Sequence, residues 1–244
     1  MAANAPVDWR ISDRRLYLAA AILFPLIILI GFGRTYYFKM FSGTPALPTL
    51  LVHLHAIVMT AWVVLFVSQV GLIRTKNAKV HMKLGMLGVA LAVLIVIVGF
   101  FTAAAAAKYG SFATPPDIPS KVFLVVPLFD LIGFIGTFGA AFYYRKQFAT
   151  HKRFMLLTVI NFLPPALGRL PIQSLQSLGP LMFFGIPALL TIGVFVYDWR
   201  HNGKVNRPFL IGCILLIASF PLRFIIAGTD AWMTFATWVT SWAA

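Results

Sequence analysis

Five histidines, His53, His55, His81, His151 and His201, carry most of the metal chemistry this sequence can offer. The richest stretch reads HLHAIVMTAWVVLFVSQ and runs from His53 to Gln69. On an α-helix of ~3.6 residues per turn, His55, Met59, Trp62, Phe66 and Gln69 share one stripe. Polar, metal-capable groups are costly at membrane depth, so this stripe is expected to face the interior of a helix bundle. His55 and Met59, four residues apart, pair an imidazole with a thioether, a set suited to copper or to one face of a haem. His53 points the other way, because residues two apart lie roughly 200° apart around a helix axis. It joins His55 on one metal only where the helix is frayed.

His81 opens a second apolar segment, and Gly85, Gly88, Ala92 and Gly99 follow it on the same face. Small residues beneath a histidine form a trough that accepts a macrocycle, and they equally let two membrane helices pack closely. His151 opens a third segment, whose face continues through Met155, Thr158, Phe162 and Pro165 to Arg169. Bis-imidazole ligation of a haem iron takes one histidine from each of two facing helices at equal depth, which His81 and His151 can supply. His201, three residues after Asp198, is expected to be a solvated loop residue.

Three charged residues, Asp130, Arg169 and Arg223, fall within apolar stretches. Burying any of them unpaired costs on the order of several kcal/mol, so Asp130 is expected to pair with Arg169 or Arg223. Beside His55 the same arginines can hold the carboxylates of a haem or another anionic ligand in bidentate fashion. Gln69 and Asn161 complete the polar residues expected inside. Asn161 and the Pro164-Pro165 pair interrupt their helix and free backbone carbonyls toward the same interior.

These residues need a scaffold, and composition says which. The chain has 244 residues, 60% of them hydrophobic, far above an ordinary soluble domain. Its mean hydropathy is +0.89. Apolar spans long enough for a ~30 Å hydrocarbon core run from Leu16 to Phe32, Leu50 to Ile73, Met82 to Ala104, Val122 to Tyr144, Phe154 to Pro171, Pro180 to Trp199 and Pro208 to Ala227. The expected fold is therefore an all-α integral membrane protein with seven transmembrane helices in a single domain. The second to fifth helices would form a four-helix core. The first apolar run lacks a small-residue cleavage pattern and is expected to be a retained helix.

Twenty Lys and Arg stand against six acidic residues, all aspartate. In a multi-pass protein such an excess collects in cytoplasmic loops, so it calls for no nucleic-acid partner. RTKNAKVHMK, RKQFATHKR and RHNGKVNR are the basic connections, which orients the N-terminus to the cytoplasm and the C-terminus outside. The Trp-rich tail, residues 229–244, suits an interfacial segment. AAAAAKYGSFATPPDIPSK reads as an irregular outer loop. Cys213 is the single cysteine, which excludes a disulfide framework. There is no nucleotide-binding glycine loop and no nucleophile elbow, which argues against phosphoryl transfer and conventional hydrolysis.

The run H-x3-M at His55 and Met59, then a basic loop, H-x2-L-G at His81, Leu84 and Gly85, and a later helix-opening His151 resemble the transmembrane b-type cytochromes that act as ascorbate-dependent ferric reductases. The pattern is also similar to uncharacterised bacterial multi-pass proteins sharing the same core. The resemblance covers roughly residues 50–155. It implies haem b ligated by His81 and His151, which correspond to the family's helix-opening ligands of the third and fifth helices. The family's second haem would pair His55 with a histidine opening the fourth helix, where this chain has Lys121, Val122 and Phe123.

The leading expectation is thus a haem-binding electron-transfer protein of the bacterial inner (plasma) membrane, exchanging electrons with quinone or a small reductant. Two further readings stand beside it. One is a non-catalytic accessory or assembly subunit of a larger membrane complex or an oligomer, for which the Trp-rich tail is suited. The other is a transporter or receptor for a small anionic or lipophilic ligand centred on Asp130, Arg169 and Arg223, although the halves of the chain show no repeat of the kind many transporters have.

Overall fold

The computed structural model describes residues 11–41, 49–110, 114–115 and 117–242, and 85% of the structure is helix, with no strand among the described residues. Helix α1 (Ile11–Phe32) passes through a π-helical turn at Gly33–Tyr37 and a short 3-10 turn at Lys39–Phe41. Helices α2 (Leu50–Arg74) and α3 (Ala78–Tyr109) form a hairpin over a three-residue turn in which Lys76 takes a left-handed φ of 59°. A single turn, α4 (Ser120–Phe123), leads into α5 (Val125–Tyr143), and a second tight turn leads into α6 (Phe148–Asn161). Two short pieces follow, α7 (Pro164–Leu167) and α8 (Gln173–Gln176). The long helices α9 (Ile186–Asn202) and α10 (Arg207–Ala227) precede the terminal α11 (Asp230–Ser241).

Among the described residues six helical stretches are long and apolar enough to cross a membrane: Arg14–Tyr37, Leu50–Arg74, Ala78–Tyr109, Ser120–Tyr143, Leu181–Asn202 and Arg207–Ala227. Their outer faces leave large aliphatic side chains uncovered, among them Leu87, Leu189 and Ile225, each about two-thirds exposed. Apolar surface on that scale calls for lipid, and it marks a membrane protein.

The segment expected as one span from Phe154 to Pro171 is instead two helices. Pro164 and Pro165 lack the N–H donors needed to continue α6, and they occupy the first turn of α7, where missing donors cost nothing. Helix α6 is buried on nearly every side, from Phe154 through Leu156, Leu157, Thr158, Val159 and Ile160 to Asn161. It is the central post of the bundle.

In this part of the bundle α2 packs on α3, α5 on α6, and α3 on α5. At its centre Trp62 meets Phe134 and Phe138 edge-on, with ring centroids 5.0 and 5.4 Å apart, and Phe134 packs on Phe162 at 4.8 Å. A second cluster joins α6 to α10 through Leu157, Phe209, Leu216 and the buried, free Cys213. A third joins α1 to α2 through Phe24 and Phe66.

Two local expectations are corrected. Residues Ala103–Lys108, expected in an irregular loop, continue α3, because α11 packs there and buries Ala103, Ala104 and Ala107. His201, expected in a loop, lies in the last turn of α9 with its ring stacked on Tyr197 at 4.0 Å. The tail expected as an interfacial segment is helical: Trp232 Nε1 donates to the Lys121 carbonyl at 3.0 Å, while Phe235, Trp238 and Trp242 line its exposed side.

Close approach between α1 and α7 depends on one glycine. A Cβ at Gly31 would run into the backbone carbonyl of Ala166, which cannot rotate away. Gly31→Ala is expected to cost about 1–3 kcal/mol by overpacking, read as a lower Tm in detergent. Gly139, with nothing within 4 Å of its Cβ position, is the control, and Gly139→Ala should hold or raise Tm.

Candidate functional site

The two hairpins place two histidines in equivalent positions. His81 is the fourth residue of α3 and His151 the fourth of α6. Each backbone N–H bonds the carbonyl just ahead of its helix, His81 to Asn77 at 3.1 Å and His151 to Gln147 at 2.9 Å. The imidazole rings meet edge to face, with centroids 6.3 Å apart and planes at 83°. Two imidazoles on opposite sides of one metal ion would have centroids about 6 Å apart, given metal–nitrogen bonds of about 2 Å.

The hydrogen bonds decide which nitrogens are available. Tyr143 ends α5, so the carbonyl of Ala141 lies in the last turn, where helix donors run out. Arg145 N–H bonds Phe142 instead, and the Ala141 carbonyl accepts from His151 Nδ1 at 2.8 Å. A carbonyl only accepts, so the proton sits on Nδ1 and Nε2 keeps its lone pair for a metal. Across from it, His81 Nδ1 is buried without a partner. Gln69, on the inward stripe of α2, donates from Nε2 to the His81 carbonyl at 3.2 Å, and its Oε1 is also buried without a partner.

The small-residue stripe below His81 divides. A Cβ at Gly85 would make only ordinary contact with Gln69 Nε2 at 3.6 Å, whereas one at Gly88 would meet Leu65 at 3.0 Å and one at Gly99 would meet Leu131 at 2.9 Å. Deeper than Gly85, the stripe serves helix packing. Among the described residues no group of three or more His, Cys, Asp or Glu could hold a metal ion. The donor set at His81 and His151 is a pair, the number that the axial positions of a haem require.

No family model matches this chain, and no curated protein or solved structure matches it. Its chemistry has to be argued from its own residues.

The rest of the α2 stripe points inward as expected, with Trp62 and Phe66 buried and Met59 packed against the core. His55 is partly buried and lies close enough to Arg169 to interact electrostatically. His53 is exposed and set apart from His55, with Tyr36 Oη 3.5 Å from its Nδ1. Arg169 does not take Asp130. Its Nη1 donates to the Pro165 carbonyl at 2.5 Å, an acceptor left open where α7 ends, and its guanidinium lies over Phe32 at 4.8 Å.

Asp130 pairs with Arg223 at 2.8 Å. The guanidinium is 1% exposed and enclosed by the rings of Phe129, Phe184 and Phe220, with Nη1 also reaching the Val126 carbonyl at 3.3 Å. Asn161 Nδ2 donates to the Asp130 carbonyl at 2.8 Å, so the last residue of α6 ties back to α5. A second buried ion pair, Arg153 with Asp198 at 2.6 Å, joins α6 to α9 and is extended by Asn202 Nδ2 at 3.0 Å. Sequence reading passed over this pair by assigning Arg153 to a basic loop. The available signal was Asp198, one of only six acidic residues and set in an apolar helix.

Proposed function

We propose that this chain is a membrane-embedded redox protein in which His81 and His151 are the axial ligands of one b-type haem. The observation that carries this reading is the edge-to-face pair of imidazoles from α3 and α6, 6.3 Å between centroids. A haem held by two imidazoles passes single electrons without binding oxygen. His151 is oriented by the Ala141 carbonyl, so the ring is fixed before a metal arrives. The α2–α3 and α5–α6 hairpins set the depth of both rings, and Trp62, Phe134 and Phe162 close the core beyond them to water.

In this reading α6 and α7 together complete a seventh crossing, the three basic connections lie in the cytoplasm, and the chain sits in a bacterial plasma membrane. The haem is then on the cytoplasmic side, where a small reductant or quinone exchanges electrons with it. The short motifs at His55, Met59, His81, Leu84, Gly85 and His151 support kinship with the transmembrane b-type cytochromes. One haem per chain is expected, since Lys121, Val122 and Phe123 offer His55 no partnering imidazole.

The test is haem content and the absorption spectrum of detergent-purified protein from haem-replete cells, oxidised and then reduced with dithionite. The expected result is one haem per chain and a Soret band that sharpens on reduction, with new α and β bands. A colourless, metal-free protein would overturn the proposal.

A further inference from the structure

We infer that Gln69 is a positioning residue for His81, holding the proton on His81 Nδ1 so that Nε2 faces the metal. The inference rests on the proposed function for what Nε2 meets, and on geometry alone for the proton. Gln69 Nε2 donates to the His81 backbone carbonyl at 3.2 Å. That bond fixes which way the amide points, because a half-turn would set oxygen against oxygen. Gln69 Oε1 is therefore left as an acceptor, and it is buried with no donor. His81 Nδ1, on the residue that Gln69 already grips, is buried with no partner as well. The two orphans sit on residues already joined by that backbone bond, and each carries a desolvation penalty that a single Nδ1–H to Oε1 hydrogen bond would remove.

The other histidine shows the same arrangement already made. His151 Nδ1–H is held by the Ala141 carbonyl, from the final turn of α5. The carbonyl in the matching place ahead of His81, that of Gly71, already accepts from the Thr75 N–H at 3.0 Å and from Thr75 Oγ1 at 3.1 Å. A side-chain amide on α2 supplies the missing oxygen. Both imidazoles then present Nε2 with Nδ1 protonated, as metal-bound histidines generally do. The Gln69 amide nitrogen lies over Gly85, where a Cβ would make ordinary contact with it at 3.6 Å.

The test is 15N NMR of the full-length, [15N]histidine-labelled protein in nanodiscs, reduced with dithionite so that any low-spin iron is diamagnetic. His81 is assigned by the signals lost in His81→Ala. In the wild type His81 should show a protonated Nδ1. In Gln69→Leu that proton should be lost to the other tautomer or to exchange, while His151 stays as it was and reports an intact fold. A His81 signal indifferent to Gln69→Leu would overturn the assignment. The nitrogen readout needs no haem, so a haem-free protein in which Gln69 still sets the His81 proton sinks the proposed function and keeps this assignment. A haem protein whose His81 proton ignores Gln69 does the reverse.

Discussion

His81→Ala and His151→Ala should each reduce haem content to less than about a tenth of wild type. Changing only a residue that orients a metal ligand costs ~10–100-fold in affinity, and removing the ligand should cost at least as much. The two rings sit in matching positions of two hairpins, so neither is expected to substitute for the other. His53→Ala, His55→Ala and His201→Ala should keep the spectrum. His53 is exposed beside Tyr36, and His201 stacks on Tyr197 at the end of α9. His55 lies beside Arg169, near the start of α2, whereas His81 follows the turn that ends it. Haem content per chain checks all five variants. Full retention in either His81→Ala or His151→Ala would remove that residue from the site.

Arg223→Met should be the most damaging single change for stability. It leaves the Asp130 carboxylate buried against aromatic rings without its cation, and breaking a buried pair from one side typically costs about 3–5 kcal/mol. The partner change Asp130→Leu strands the guanidinium and should be comparably harmful. The double variant Asp130→Leu with Arg223→Met removes both charges together and should recover much of the loss. The Asn161 bond survives all three variants, because it is made to the Asp130 backbone carbonyl. Thermal unfolding in detergent reads the cycle. Losses that simply add would show that the pair does not act as a unit.

The sequence made the inward stripe of α2 legible because helical period and membrane cost point the same way. Trp62 and Phe66 are buried and His53 faces out, as that period requires. The helix break at Pro164-Pro165 was equally legible, since proline chemistry is local. What a single helix cannot state is its partner. Asp130 had two arginines to choose from, and the choice of Arg223 follows from α10 packing against α5 while Arg169 turns to a carbonyl left open at the end of α7. The glycines below His81 fitted a macrocycle or a neighbouring helix equally well. Leu65 and Leu131, from two other helices, settle Gly88 and Gly99 as packing positions. The grip of Gln69 on the His81 carbonyl was likewise invisible, because it depends on the depth at which two helices meet.

The most direct test of a haem held between His81 and His151 is the electron paramagnetic resonance spectrum of the oxidised protein. Two imidazoles filling both axial positions predict a low-spin ferric signal in the wild type that is absent or high-spin in His81→Ala and in His151→Ala. A high-spin wild-type signal, or a low-spin signal that persists in either variant, would contradict that ligation.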